Sequence, residues 1–120
     1  MLYYSTRDAR KQNGKTASVA IKQGLCEDGG LFMPETLPHY SEERIRSFLS
    51  LSYPERAAEI LSDFLTDYTK EELLAAAENA YSEEKFPGGA TELSALGDTH
   101  RILELWHGPT CAFKDMALQI

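Results

Sequence analysis

Cysteine is scarce in this chain. Only Cys26 and Cys111 occur in 120 residues, far apart and without the paired spacing of a disulfide framework or a zinc site. Such usage suits a reducing compartment, and the cytoplasm is the expected location. Basic residues are few as well. Twelve Lys and Arg stand against 19 Asp and Glu, for a net charge of −7. That balance excludes a surface built to neutralise nucleic-acid phosphates. No apolar run is long enough to span a bilayer, and residues 1–7 lack the apolar stretch of a signal peptide, so no membrane partner is expected. Internal repeats and low-complexity segments are also missing. The 42% hydrophobic content supports a modest core and excludes general disorder. The length fits one domain, or a small domain with the start of another.

What is present begins with Leu2-Tyr3-Tyr4-Ser5-Thr6, a short strand pattern rich in aromatic and hydroxyl residues. Thr16 is placed to cap a helix running to Gln23, with Gly24 at its C-terminal stop. A turn at Glu27-Asp28-Gly29-Gly30 leads into a strand, Leu31-Phe32-Met33, which Pro34 is expected to end. Three helices follow. Ser41-Glu42-Glu43 starts the first, with Ile45, Phe48 and Leu49 as its expected buried stripe. Ser52-Tyr53-Pro54-Glu55 and Thr69-Lys70-Glu71-Glu72 are capping boxes that start the second and third. Ala57, Ala58, Ile60, Leu61, Phe64 and Leu65 mark one core face, and Leu73, Leu74, Ala76, Ala77, Ala80 and Tyr81 the other.

Phe86-Pro87-Gly88-Gly89 marks the expected domain boundary. Residues 1–87 read as an α+β domain with helices packed on a short sheet. Residues 88–120 read as the start of a second, α/β domain. Leu93–Leu96 and Arg101–Trp106 flank a Gly97-Asp98 turn, as a hairpin or as two neighbouring strands. Directly after them comes His107-Gly108-Pro109-Thr110-Cys111-Ala112-Phe113-Lys114-Asp115.

Lys114 carries the chemical interest of that string. A free lysine is charged at neutral pH and nucleophilic only as the neutral amine. With Thr110 as cap, Lys114 falls in the first turn of a helix, whose positive end disfavours the ammonium. Burial against Phe113 and Trp106 would act in the same direction. A ligand facing a helix N-terminus at the carboxyl end of a strand is the usual geometry of α/β sheets. Taken alone, a lysine at this position is most often an ordinary surface residue.

The whole string is more specific. His107-Gly108-Pro109-Thr110, followed by Phe113-Lys114-Asp115, resembles the cofactor-lysine segment of the threonine synthases, a family of fold type II pyridoxal-phosphate enzymes. Tyr4-Ser5-Thr6-Arg7 is similar to the family's opening, Ser18–Leu25 to its first helix, and Asp28–Pro34 to the segment that follows. Cys111 departs from the larger aliphatic residue associated with its slot. The resemblance implies the front portion of an enzyme that converts O-phospho-L-homoserine and water to L-threonine and phosphate. It implies that Lys114 holds pyridoxal 5′-phosphate covalently and then serves as general base and acid. Phe113 would flank the cofactor or fill the core. His107 and Thr110 would position the lysine, contact ligand, or act as turn residues. Asp115 would favour the helix N-terminus.

The phosphate cradle of such a site, a Gly-rich loop at a helix N-terminus, has no candidate, because Gly29-Gly30 and Gly88-Gly89 lie in turns before Lys114. The chain stops at Ile120, in the middle of the element it has just begun. The expectation is therefore a piece of a longer enzyme that is inactive alone and holds cofactor weakly or not at all. Its strands would have open edges through which copies could associate. A lyase of the same family with another substrate is one alternative, and a standalone interaction module is another. No metal site is expected, since His107 and Cys111 lack further ligands. His39 and His100 read as surface or core residues, and Arg7 as part of a structural ion pair rather than a phosphate contact.

Overall fold

A computed structural model describes residues 1–120. Strand β1 (Tyr3–Ser5) pairs antiparallel with β2 (Phe32–Pro34), and Tyr3 also bridges to Lys15. Between these strands lies helix α1 (Ala17–Gln23). Helix α2 (Glu42–Ser47) runs into a 3₁₀ turn at Phe48–Ser50. Helices α3 (Tyr53–Phe64) and α4 (Lys70–Ala80) follow. Strands β3 (Glu92–Leu96) and β4 (His100–Glu104) form a separate antiparallel hairpin, and α5 (Asp115–Leu118) closes the chain. No helix is long and apolar enough to cross a membrane.

The result is a small α+β fold. The core lies between α3 and α4, where Ala58, Leu73 and Ala77 are buried beneath Ala57, Leu61, Leu65, Tyr68, Leu74 and Tyr81. The two-stranded ribbon has three residues per strand, and Ala17 and Ala20 of α1 are buried. The ribbon is also tied to the end of α3 by Tyr3 Oη donating to Phe64 O at 3.0 Å.

Local sequence sets most of the boundaries. In both capping boxes the side chain accepts from the N3 backbone N–H while the N3 glutamate accepts from the cap N–H. Thr16 stands at the start of α1 but makes no capping hydrogen bond. The Ser18 N–H is instead taken by Asp67 Oδ2 at 3.0 Å, from 49 residues away. The Ser18 side chain first, then this backbone N–H and Thr16, hold the Asp67 carboxyl down to about 2, against some desolvation. Pro34 ends β2 as its last residue, opposite Tyr3, where its missing donor is tolerated. Gly97, with φ +67, supplies the left-handed residue of the three-residue β3–β4 connection.

The expected buried stripe of α2 is largely exposed. Phe48 is buried, edge-on to Tyr40 with centroids 5.8 Å apart, but Ile45 is 55% and Leu49 78% exposed. The helix has only six residues before the chain tightens into the 3₁₀ turn, so the spacing that would align the three side chains is lost.

Candidate functional site: the loop at Lys114

The sequence places a helix start at Thr110. The structure starts α5 at Asp115 and puts Lys114 at its N-cap. Cys111 is the reason, because its φ of +55 is left-handed and interrupts any helix begun at Thr110. Residues 108–114 are instead a series of tight turns, with Cys111 N bonded to Gly108 O and Asp115 N to Ala112 O, both at 3.0 Å. The position of Lys114 in the first turn of a Thr110-capped helix is therefore corrected. Its expected burial is corrected too. Lys114 is exposed, Phe113 is 66% exposed and Trp106 51% exposed. The Lys114 amine makes no hydrogen bond or ion pair.

The interior of the loop is formed by Asp115 and Gly108. Asp115 is 1% exposed, the one charged residue among the buried positions. Its Oδ2 accepts from the Thr110 backbone N–H and its Oδ1 from the Thr110 hydroxyl, each at 2.7 Å. The Thr110 hydroxyl leads the contacts that hold this carboxyl below the usual carboxylate range, against the opposing effect of burial. Asp115 therefore does more than favour a helix N-terminus: it closes the loop on itself. A Cβ on Gly108 would stand 2.5 Å from Asp115 Cβ, 2.6 Å from Oδ2 and 2.9 Å from Phe86 Cε1. Glycine is required there for close approach, not for its dihedral freedom. Phe86 fills the other side, and Tyr81 Oη donates to Met116 O at 2.7 Å, which ties α5 to the end of α4.

His107 enters from the end of β4. Its Nε2 lies 2.7 Å from Glu104 Oε2, and the Ser94 hydroxyl donates to Glu104 Oε1. Ser94 first, then His107, hold the Glu104 carboxyl below its usual range. Trp106 stacks on the His107 ring at 5.7 Å between centroids. Glu92 faces Glu104 across the ladder, so Glu92, Glu104 and His107 bring three ligand atoms within 4.8 Å of one another. His107 therefore has the neighbouring ligand atoms that the sequence did not offer it, with Glu104 hydrogen-bonded to it and Glu92 exposed.

The opening and Asp28 segments also meet. Ser5 Oγ donates to Asp28 Oδ1 at 2.7 Å, and Gly30 N donates to the same oxygen at 2.8 Å. The Leu31 N–H reaches Thr6 Oγ1 at 3.1 Å. Arg7 makes no ion pair: its Nη1 donates to the Asp28 carbonyl at 2.7 Å, which corrects the expected carboxylate partner. No hydrogen bond or ion pair joins this cluster to the 107–115 loop. His39 and His100 are exposed. Both cysteines are free, Cys26 buried and Cys111 exposed.

Sequence reasoning missed Glu104, Ser94 and the closing role of Asp115. Only the three-residue spacing from Glu104 to His107 was there to be read.

Comparison with known proteins gives one answer. The family described as "Threonine synthase N terminus" matches residues 2–81. The chain is 35% identical to a threonine synthase of Eremothecium gossypii, over 98% of this chain and 24% of the relative. It is 37% identical to that of Escherichia coli, over 96% of this chain and 25% of the relative. It is 36% identical to human "Threonine synthase-like 2", over 98% and 24%. The chain thus spans about a quarter of the length of the curated relatives it matches. Among solved structures, PLP-bound threonine synthase from Brucella melitensis superposes with a TM-score of 0.86 at 34% identity, over 98% of this chain and 25% of the other. The yeast enzyme gives 0.86 at 33% identity, over 98% and 24%.

Proposed function

Because the chain belongs to the threonine synthase family, we propose that it forms the front of a pyridoxal-phosphate-dependent lyase with Lys114 as the cofactor lysine. The proposed overall reaction converts O-phospho-L-homoserine and water to L-threonine and phosphate. The observation that carries the reading is the reach of the matches, which cover 98% of the chain and so extend well beyond residue 81.

The residues fit attachment of the cofactor. Lys114 offers an amine with no partner, on a loop closed by Asp115. They offer nothing for its phosphate. Gly30 has its side-chain space filled by Ser5 Oγ, and Gly88 and Gly89 lie in an open turn. Bound pyridoxal phosphate supplies an electron sink for chemistry at the amino-acid α-carbon. Lys114 Nζ takes and returns protons at the substrate as general base and acid. Phe113, turned outward, would flank the ring. His107 and Thr110 hold the approach to the lysine, with His107 steadied by Glu104.

Residues 1–87 act as the family's N-terminal domain and 88–120 as the beginning of its cofactor domain, in a cytoplasmic protein. Alone, the chain holds cofactor weakly or not at all and is inactive. Its open β3 and β4 edges allow a second copy to pair. Sedimentation that stays strictly monomeric across concentration would count against that pairing.

A related lyase with another substrate is the second reading, since the matched relatives include one named only as threonine synthase-like. The source gene beyond the codon for Ile120 tests the proposal. A continuing frame with a Gly-rich loop supports a split cofactor site. A stop codon, or threonine formation by the purified 120-residue chain, contradicts it.

A further inference from the structure

Lys114 and Asp115 are neighbours in sequence, yet the amine has no counter-ion and the carboxylate has two hydrogen-bond donors. Both donors come from Thr110, one from its backbone and one from its side chain, at 2.7 Å. The Gly108 cavity seats the Asp115 side chain, and Phe86 closes it from the other side. Lys15, Lys22 and Lys85 are likewise unpaired, but none of them is followed directly by a carboxylate. Lys70 pairs with Glu59 at 3.0 Å, and Lys11 donates to Glu35 O at 3.3 Å.

We propose that Thr110 is a positioning residue: it detains the Asp115 carboxylate in the loop interior and so leaves the Lys114 amine without a partner. The use of a free amine rests on the reading of Lys114 as the cofactor lysine, while the contact itself does not. A buried carboxylate that loses a donor is costly to keep in place. Without the Thr110 hydroxyl, Asp115 moves outward to water, where the ammonium of the adjacent residue is open to it. An exposed pairing of that kind stabilises the charged amine enough to lower its reactivity about two- to fivefold.

Competitive acetylation with trace acetic anhydride, at one mildly alkaline pH, reads this in the 120-residue chain. Lys114 is compared with exposed Lys22 in the same molecules by peptide mass spectrometry. Thr110 is exposed, so Thr110→Val is tolerated by the surroundings. The expected result is a two- to fivefold fall in relative Lys114 labelling for Thr110→Val. Thr110→Ser, which keeps the hydroxyl, restores the wild-type ratio. Thr110→Val combined with Asp115→Asn also restores it, because the carboxylate is gone. An unchanged ratio in Thr110→Val overturns the proposal. A double variant as unreactive as Thr110→Val also overturns it, since loop displacement rather than the carboxylate would then be responsible. Acetylation needs no cofactor, so this outcome is independent of whether pyridoxal 5′-phosphate binds.

Discussion

Gly108→Ala tests the loop interior most sharply. The new methyl would lie 2.5 Å from Asp115 Cβ, 2.6 Å from Asp115 Oδ2 and 2.9 Å from Phe86 Cε1. Unstrained carbon contacts are about 3.5–4.0 Å, so the overlap is about 1 Å or more on the two nearest atoms. Neither neighbour can retreat cheaply. Asp115 is held by two bonds from Thr110, and Phe86 is buried beside Tyr81. Backbone strain contributes nothing, because Gly108 is not in the left-handed region. Overpacking of this kind costs about 1–3 kcal/mol. For a chain of this size about 1 kcal/mol corresponds to about 4 °C, so the melting midpoint should fall by about 4–12 °C. Calorimetry measures the midpoint, and hydrogen exchange at the Thr110 amide reports the loop. A midpoint within about 1 °C of wild type, with the Thr110 amide as protected as before, would refute the interlocked interior.

Asp67→Asn should destabilise the chain by about 1 kcal/mol: the shift of the Asp67 carboxyl from 3.8 to about 2 sets a ceiling of roughly 2.4 kcal/mol, and its exposure reduces this. The folded value is depressed, so the contribution is fully present above about pH 4 and is lost as pH falls toward 2. Urea midpoints across that window should slope in wild type and flatten in the variant. Ser52→Ala and Thr69→Ala should each cost about 1 kcal/mol in urea unfolding, through loss of the reciprocal cap of α3 or α4. Lys114→Ala should leave stability within about 0.5 kcal/mol of wild type, because the side chain is exposed and unpartnered; a larger loss by the same assay would mean that Lys114 is structural.

The parts of the fold that were legible in the sequence are those decided within four or five residues. The Ser52 and Thr69 boxes bond as their spacing implies, and Gly97-Asp98 makes the hairpin connection. What was not legible depends on distant partners or on competition between local alternatives. Thr16 sits at the cap of α1, but the capping oxygen comes from Asp67. Ile45 and Leu49 have core spacing, but periodicity does not say whether anything lies against the face. At the candidate site, Thr110 is a good cap residue, yet its donors go to the Asp115 side chain and Cys111 turns left-handed, so the cap falls four residues later, at Lys114. The string around Lys114 was readable as a motif, whereas its interior of Gly108, Phe86 and Asp115 appears only on folding.

The central claim is that Lys114 is the lysine that carries the cofactor. The most direct measurement joins residues 1–120 to the part of the Escherichia coli threonine synthase that lies beyond the match. The folded hybrid is incubated with pyridoxal 5′-phosphate and reduced with borohydride, and the modified lysine is mapped by mass spectrometry. The account predicts saturable modification at Lys114 alone, lost in Lys114→Ala. Saturable modification at another lysine, or labelling spread over Lys11, Lys15, Lys22, Lys70 and Lys85 with no preference for Lys114, would contradict it.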